Sequence, residues 1–175
     1  GALAPGHRSL FEAPIASHNL LRSHGMAVRA YRAEGKHDIG LVVNLEPKYA
    51  ASQSAADLAA VTRADAYMNR QYLDPLFLGR YPAELKEIFG EAWPDWPPED
   101  FELIREPLDY LGIHYYKRNV TRFDPDAWPV KAAAVRQKQA TYTETGWEVF
   151  PRGLTDILAW VRTHYGNPPV YITEN

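Results

Sequence analysis

The sequence predicts an α/β fold in which parallel strands alternate with helices. Three short runs rich in apolar and β-branched residues lie at 39–45, 108–116 and 169–173, as expected for strands that are buried on both faces. Between these runs, apolar residues recur with the spacing of amphipathic helices. Three strand–helix units cannot close an eight-stranded barrel, whose usual length is about 250 residues. We therefore expect the chain to be a piece of a larger fold with two open strand edges.

Local signals define the elements of the first half of the chain. After an opening turn rich in Gly and Pro, apolar residues recur at helical spacing from Leu20 to Tyr31, and Gly35 is placed to end this helix. The first strand follows. After a loop, Ser54 is placed to cap a second helix that runs to about Tyr72, because its hydroxyl can accept a hydrogen bond from a free N–H of the first turn.

Prolines and glycines divide the second half of the chain. Pro82 is placed as the first residue of a short helix that Gly90 ends. The proline-rich stretch at 93–98 excludes regular helix and central strand, because proline lacks a backbone donor, and a further short helix follows at 99–106. The long polar connection at 117–146 is typical of an active-site loop. The final helix carries apolar residues at helical spacing and ends at a glycine; these residues are Leu154, Ile157, Leu158, Val161 and Gly166.

The composition fits a globular domain and excludes several classes of partner. The length of 175 residues suits one domain, and 46% of the residues are hydrophobic. A net charge of −3 argues against nucleic acid and anionic membranes, and no apolar run approaches the roughly 20 residues that span a bilayer. The lack of cysteine excludes disulfides and thiolate catalysis. The chain begins with Gly1 rather than Met, so the native start is left open, and a cytoplasmic location is expected over secretion.

The third predicted strand ends on an ionisable residue, Glu174, in the sequence Tyr171-Ile172-Thr173-Glu174-Asn175. In α/β barrels, catalytic groups stand at the carboxyl ends of buried parallel strands. Glu174 is therefore a candidate catalytic carboxylate. The alternative interpretation is a strand followed by a Glu-Asn turn that faces solvent.

Short motifs run through the whole chain in a fixed order. They are Ala4-Pro5-Gly6, His18-Asn19-Leu20-Leu21, His24-Gly25, Ala27-Val28-Arg29-Ala30-Tyr31-Arg32, Asn44-Leu45-Glu46-Pro47, Asn69-Arg70, Leu73-Asp74-Pro75-Leu76-Phe77, Tyr81-Pro82, Leu111-Gly112-Ile113-His114-Tyr115-Tyr116, Gly146-Trp147-Glu148-Val149 and Tyr171-Ile172-Thr173-Glu174-Asn175. Each motif is weak alone. Their joint order resembles the β-glucosidases of glycoside hydrolase family 1.

The resemblance implies a (β/α)8 TIM barrel in which the three strands are the fifth, sixth and seventh. Residues 1–175 would then be an incomplete catalytic domain, a segment of its C-terminal half truncated at both ends, which needs the remaining barrel segments for a complete fold. The implied activity is retaining hydrolysis of β-glucosides, small-molecule substrates, by double displacement, without cofactor or metal. Glu174 matches the family's nucleophile. The acid/base carboxylate belongs to an Asn-Glu-Pro segment that is not in this chain, so the fragment alone is expected to be inactive.

The resemblance also implies roles for four side chains near the strand ends. Tyr116 matches a tyrosine that orients the nucleophile, and the alternative is a ring that packs the barrel. Trp147 matches a tryptophan that borders the leaving-group side, where aromatic rings pack against sugar faces; the alternative is helix–barrel packing. Asn44 either lines that side or satisfies buried loop backbone. His114 stands where the family usually has Asn, and imidazole can replace one amide hydrogen bond but not both.

Glu46, in Asn44-Leu45-Glu46-Pro47, resembles the missing acid/base segment with one extra residue. One inserted residue in a strand turns the following side chain to the opposite face, so we reject Glu46 as the acid/base. The histidines show no metal-ligand spacing, and we interpret His18 and His24 as packing or solvated residues. Trp93, Trp96, Trp128 and Trp160 are interpreted as structural.

Two alternative functions remain open from the sequence. A 6-phospho-β-glycosidase of the same family would place its phosphate contacts around an eighth strand that this chain lacks. A non-catalytic carbohydrate-binding half-barrel would fit the missing acid/base, but Glu174 argues against it.

Overall fold

The computed structural model describes residues 6–7 and 9–175, so the first five residues of the predicted opening turn lie outside the described residues. Helices and short strands alternate along the chain. In order, they are α1 (Glu12–Glu34), β1 (Gly40–Asn44), β2 (Lys48–Ala50), α2 (Ala55–Asp65), a π-helical segment (Ala66–Arg70), α3 (Gln71–Leu78), α4 (Glu84–Phe89), a 3-10 turn (Gly90–Ala92), α5 (Pro98–Ile104), β3 (Tyr110–His114), β4 (Asn119–Phe123), β5 (Ala132–Ala134), α6 (Arg152–Tyr165) and β6 (Val170–Glu174).

The three predicted strands form one parallel sheet in the order β1-β3-β6, which confirms the predicted α/β architecture. Each strand is followed by helical chain that returns to the start of the next strand, as parallel pairing requires. Within the described residues the sheet does not close on itself. β1 and β6 are its two edges.

The two faces of this sheet have different environments. On one face, Leu111 and Ile113 of β3 are fully buried against side chains from α1, α3, α5 and α6, which form the main core with them. On the other face, Val42 is 43% exposed and Tyr171 is 60% exposed, and both lie in register with Gly112. This open face is apolar in its middle, and it carries the strand-end residues described below.

A second, smaller sheet was not predicted. β2 pairs in parallel with β4, and β4 pairs antiparallel with β5. The expectation of an irregular connection at 117–146 is therefore wrong for β4 and β5, and the predicted loop after β1 contains β2. These strands are short, β5 consists of three alanines, and pairing of β2 with the distant β4 holds the sheet in place, so no local apolar alternation marks them.

Most predicted helix ends are confirmed. The N–H of Gly35 donates to the carbonyl of Tyr31 at the end of α1, and Ser54 Oγ accepts a 3.1 Å hydrogen bond from the N–H of Asp57 at the start of α2. Gly166 ends α6 in the left-handed conformation, at φ 75°.

Two predicted helix boundaries are wrong. The helix predicted to end near Tyr72 continues past Pro75 to Leu78, and a π-helical segment precedes the proline. The π-helical turn is wider than an α-helical turn and changes the hydrogen-bond pattern ahead of Pro75. Proline has no backbone N–H, so Pro75 removes one hydrogen bond without ending the helix. The helix assigned to start at Pro82 begins at Glu84 instead.

Candidate active site

Three predicted site residues share one row across the sheet. Asn44 at the end of β1 lies in register with His114 at the end of β3, and His114 lies in register with Glu174 at the end of β6. Partners in a parallel sheet point their side chains to the same face. The three side chains therefore stand together at the carboxyl edge of the open face, where ligands bind in open α/β sheets.

An irregularity in β6 brings Glu174 into this row. Ile113 pairs with Ile172, but His114 pairs with Glu174, so β6 carries one extra residue, Thr173, at this point. Without the bulge, Glu174 would align with Tyr115, whose side chain is buried in the core on the opposite face. The bulge thus turns the carboxylate to the open face, a use of bulges that recurs beside active sites.

Tyr116 contacts the candidate nucleophile directly. Its hydroxyl donates a hydrogen bond to Oε2 of Glu174. The carboxylate holds the phenol proton and thereby raises the pKa of Tyr116. The structure therefore brings together the two residues to which the resemblance assigns the catalytic roles.

His114 is the third member of this group. Its Nδ1 lies 3.5 Å from Oε2 of Glu174 and 3.4 Å from the hydroxyl of Tyr116. In the tautomer protonated at Nδ1, the imidazole is a donor to either oxygen.

A cleft of about 140 Å³ adjoins this group. Its walls combine two aromatic rings and a leucine with polar side chains; they are Asn44, Leu45, Glu46, Tyr116, Lys117 and Trp147. The ring of Trp147 lies 4.8 Å from that of Tyr116, between centroids, at an interplanar angle of 40°, and the residue is 41% exposed. The predicted residues Asn44 and Trp147 therefore border one cleft beside Tyr116.

Glu46 also borders the cleft, but its carboxylate is occupied. It forms an ion pair with Lys48 and a second one with Lys117, whose Nζ lies 3.2 Å from Oε2. Burial alone would raise the pKa of Glu46, but the two lysines outweigh it and hold the pKa below its usual value. A carboxylate that is ionised at neutral pH cannot serve as the proton donor, which supports its rejection as acid/base.

A buried ion pair beside the cleft was not predicted from the sequence. Arg118 forms two hydrogen bonds with Glu148, from Nε to Oε2 at 3.0 Å and from Nη2 to Oε1 at 2.7 Å. Glu148 directly follows Trp147, and Arg118 lies two residues after Tyr116. The sequence did contain a signal for this pair. Arg118 and Glu148 carry opposite charges, and each lies close in sequence to an aromatic residue predicted to belong to the site.

The histidine interpreted as a packing residue has that role. His18 is buried, its ring stacks on Trp96 with centroids 3.9 Å apart, and its nitrogens bond Tyr81 and Asp100. His24 is partly buried, which lowers its pKa. In the part of the chain that the structure describes, no group of three His, Asp or Glu side chains is arranged to hold a metal ion, and none of the helices has the length and apolar character that a membrane span requires.

A parallel sheet with a carboxylate and a tyrosine at its carboxyl edge is typical of α/β-barrel enzymes. Comparison with known proteins agrees with this class. The family description "Glycosyl hydrolase family 1" matches residues 1–175. The chain belongs to this family.

Two curated relatives illustrate the similarity. β-Glucosidase A of Thermotoga maritima is 38% identical over 177 residues, covering 100% of this chain and 39% of the relative. The 6-phospho-β-glucosidase GmuD of Bacillus subtilis is 34% identical over 177 residues, covering 92% of this chain and 37% of the relative. The chain thus spans about two fifths of the length of these relatives.

Solved structures give the same picture. A β-glucosidase from Exiguobacterium marinum superposes with a TM-score of 0.93 at 36% identity, over 100% of this chain and 41% of the other. The β-glucosidase from Thermotoga maritima in complex with deoxynojirimycin gives a TM-score of 0.90 at 38% identity, over 98% of this chain and 39% of the other. The partial TIM-barrel fold is therefore shown.

Proposed function

We propose that this chain is the nucleophile-bearing segment of a retaining β-glycosidase that hydrolyses β-glucosides. One observation carries the proposal: Glu174 stands at the end of a parallel strand, faces the open side of the sheet and accepts a hydrogen bond from Tyr116. The family relationship and the similarity to a β-glucosidase solved with the sugar-like compound deoxynojirimycin support a small-molecule glycoside as substrate.

The chemistry proceeds in two displacements. The ionised Glu174 attacks the anomeric carbon, and the bond to the leaving oxygen breaks while a second carboxylic acid protonates that oxygen. This step forms a glycosyl ester on Glu174. Water, deprotonated by the second carboxylate, then attacks the same carbon, releases Glu174 and restores the original anomeric configuration.

The second carboxyl group comes from outside residues 1–175. Retaining hydrolysis requires two carboxyl groups about 5–5.5 Å apart, one of them protonated at the start. Glu46 is ion-paired with Lys48 and Lys117, and its lowered pKa keeps it ionised. The family's Asn-Glu-Pro segment is the source that the resemblance implies.

Tyr116 and His114 prepare the nucleophile. The hydrogen bond from Tyr116 fixes the orientation of the Glu174 carboxylate and favours its ionised form, which is the form that attacks, and Nδ1 of His114 lies 3.5 Å from the same oxygen. A nucleophile held by a donor at a strand end loses little freedom when it reacts.

Trp147 and Asn44 bind the leaving group. The cleft that they border also includes Tyr116, and its mixture of aromatic rings and polar groups suits a second sugar or an aryl group. The remaining barrel segments complete the site. Val42 and Tyr171 leave the open face of the sheet without a covering layer, so we propose that residues 1–175 form an incomplete catalytic domain.

Covalent trapping tests this proposal in the complete barrel protein. A 2-deoxy-2-fluoro-β-glucoside with a good leaving group forms the glycosyl ester faster than water removes it, because the fluorine slows both steps and the leaving group assists only the first. We expect peptide mass spectrometry to find the sugar on Glu174, with no label in Glu174→Gln. A label on another carboxylate would refute the assignment.

A second candidate is a 6-phospho-β-glycosidase, which the similarity to the Bacillus subtilis enzyme favours. Hydrolysis of an aryl β-glucoside and of its 6-phosphate, compared at equal concentration, separates the two. A binding protein without catalysis would hydrolyse neither compound.

A further inference from the structure

We propose that the Arg118–Glu148 ion pair is a positioning device for Trp147, which holds the ring beside Tyr116 and thereby controls how the site binds the leaving group. This inference rests on the proposed function, in which Trp147 borders the leaving-group side. It assigns a role in the reaction to two residues outside the set Asn44, His114, Tyr116, Trp147 and Glu174.

The ion pair is rigid. Both hydrogen bonds run between the guanidinium fork and the carboxylate, at 3.0 Å and 2.7 Å, a geometry that fixes the relative orientation of the two groups. The side chains of Arg118 and Glu148 are only 19% and 9% exposed. The guanidinium also lies over the ring of Phe150, 3.7 Å from its centroid. Arg118 therefore holds the chain on both sides of Val149.

A second attachment fixes the same segment. The hydroxyl of Tyr115 donates a 2.6 Å hydrogen bond to the carbonyl of Phe150. The Tyr115 ring lies so close to Gly153, at the start of α6, that a Cβ on this glycine would overlap the hydroxyl. Residues 115 and 118 thus tie the chain that follows Trp147 to the end of β3.

Trp147 itself lies on a tight turn. Its N–H donates to Oγ1 of Thr143 at 3.1 Å, its carbonyl accepts from the N–H of Thr143 at 2.9 Å, and Gly146 adopts a positive φ of 83°. Tyr142 and Glu148 form a bridge that closes this hairpin. The hairpin is compact, so when Glu148 is fixed, the position of the Trp147 ring relative to Tyr116 is fixed as well.

Loss of Arg118 would release this arrangement. Glu148 would remain as a buried carboxylate without its bidentate partner, a costly state that is relieved when the carboxylate moves toward water. Because Glu148 and Trp147 are adjacent, that movement displaces the ring. A displacement of about 1 Å in a substrate-positioning group can reduce rates up to roughly 100-fold.

Two substrates with different leaving groups distinguish the positioning of Trp147 from general support of the fold. An aryl β-glucoside or a disaccharide places a bulky leaving group against Trp147, whereas β-glucosyl fluoride has none. In the complete barrel protein, we expect Arg118→Met to lower kcat/KM for an aryl β-glucoside roughly 10- to 100-fold and to change kcat/KM for β-glucosyl fluoride by no more than about twofold. Arg162→Met, at an exposed arginine of α6, is the matched control and should affect neither substrate.

A double-mutant cycle tests whether the effect passes through Trp147. In a Trp147→Ala background, Arg118→Met should cause little further loss with the aryl β-glucoside, because the group that it positions is gone. If Arg118→Met is too unstable to purify, Arg118→Lys keeps the charge but loses the planar fork and should show the same substrate pattern at smaller size. Equal losses with both substrates, or an undiminished loss in the Trp147→Ala background, would overturn the inference. Equal losses with both substrates would not change the expected labelling of Glu174 by the 2-deoxy-2-fluoro-β-glucoside. The positioning role of Arg118 and the assignment of Glu174 as nucleophile can therefore be refuted independently.

Discussion

The hydroxyl of Tyr116 donates a hydrogen bond to Oε2 of Glu174 and so joins the ends of β3 and β6 on the open face of the sheet. The carboxylate raises the pKa of Tyr116, so the phenol is a donor at neutral pH. Nδ1 of His114, at the end of β3, lies 3.5 Å from the same oxygen. Substitution of Tyr116 or Glu174 should therefore change the reaction rate more than the stability of the fold.

Replacement of Glu174 should show whether this residue is the nucleophile or the acid/base. In the complete barrel protein, Glu174→Ala should lower turnover of an aryl β-glucoside by roughly 10⁴-fold or more, as expected when a group that forms a covalent intermediate is lost. Added azide or formate should restore part of the rate, because a small anion can attack the anomeric carbon from the vacated side. Chromatography of the azide reaction should give the inverted α-glucosyl azide.

Circular dichroism and thermal unfolding of Glu174→Ala serve as the control, since the side chain lies at a strand end and should not affect folding. A β-configured azide product would instead indicate that the acid/base had been removed, and Glu174 would then have the other catalytic role.

Removal of the tyrosine donor should slow the formation of the glycosyl ester. Hydrogen bonds to charged groups contribute about 1.5–3 kcal/mol, so Tyr116→Phe should lower the rate of trapping by a 2-deoxy-2-fluoro-β-glucoside roughly 10- to 100-fold. The phenyl ring keeps its contact with Trp147. Tyr31→Phe, which removes a hydroxyl bonded to the N–H of His37 between α1 and β1, is a suitable control. An unchanged trapping rate would show that Tyr116 only packs.

The ion pairs of Glu46 should make stability depend on pH. Lys48 and Lys117 lower its pKa in the folded state, so the stabilisation is complete above the usual titration range of a glutamate and is lost as the pH falls through the lowered pKa. In the complete barrel protein, Glu46→Gln should lower Tm by a few degrees at pH 7 and by less at about pH 3. The exposed Glu87→Gln is the control, and a difference in Tm that does not change with pH would contradict the prediction.

Residues 1–175 alone should not behave as a well-folded monomer. Val42, Tyr171 and Ile172 are exposed on the edge strands, which also leave backbone groups unpaired. We expect the isolated chain to aggregate or to bind a hydrophobic dye, and to hydrolyse no aryl β-glucoside. Size-exclusion chromatography, dye fluorescence and an activity assay provide the test. A cooperatively unfolding monomer would contradict the first part, and measurable hydrolysis would require Glu46 or another carboxylate to act as acid.

The main sheet and most helix ends were readable in the sequence because local chemistry specifies them. Buried parallel strands require apolar, β-branched runs. Gly35 and Ser54 each satisfy a helix end by a hydrogen bond within four residues, and Gly166 ends α6 in the left-handed conformation that glycine adopts readily. The placement of Asn44, Tyr116 and Glu174 at one end of the sheet followed from the same rule, whereas the bulge that sets Glu174 in one row with His114 was not predicted.

The parts that were not predicted depend on contacts between distant segments. β2 pairs with β4 across 71 residues of sequence, from Lys48 to Asn119, and neither strand carries an apolar alternation of its own. The pairing of Arg118 with Glu148 likewise joins two loops that only the completed fold brings together. No propensity of an isolated segment encodes such partners.

The extra residue in β6 makes the pairing of this strand, rather than its length, the feature that turns Glu174 to the open face. Removal of Thr173 would let β6 pair regularly with β3 and leave Glu174 opposite His114, whereas regular pairing of the present sequence would realign the carboxylate with Tyr115, whose side chain points into the core. Related proteins should therefore keep the carboxylate on the open face either with this bulge or with one residue fewer in the last strand, even where the residues themselves differ.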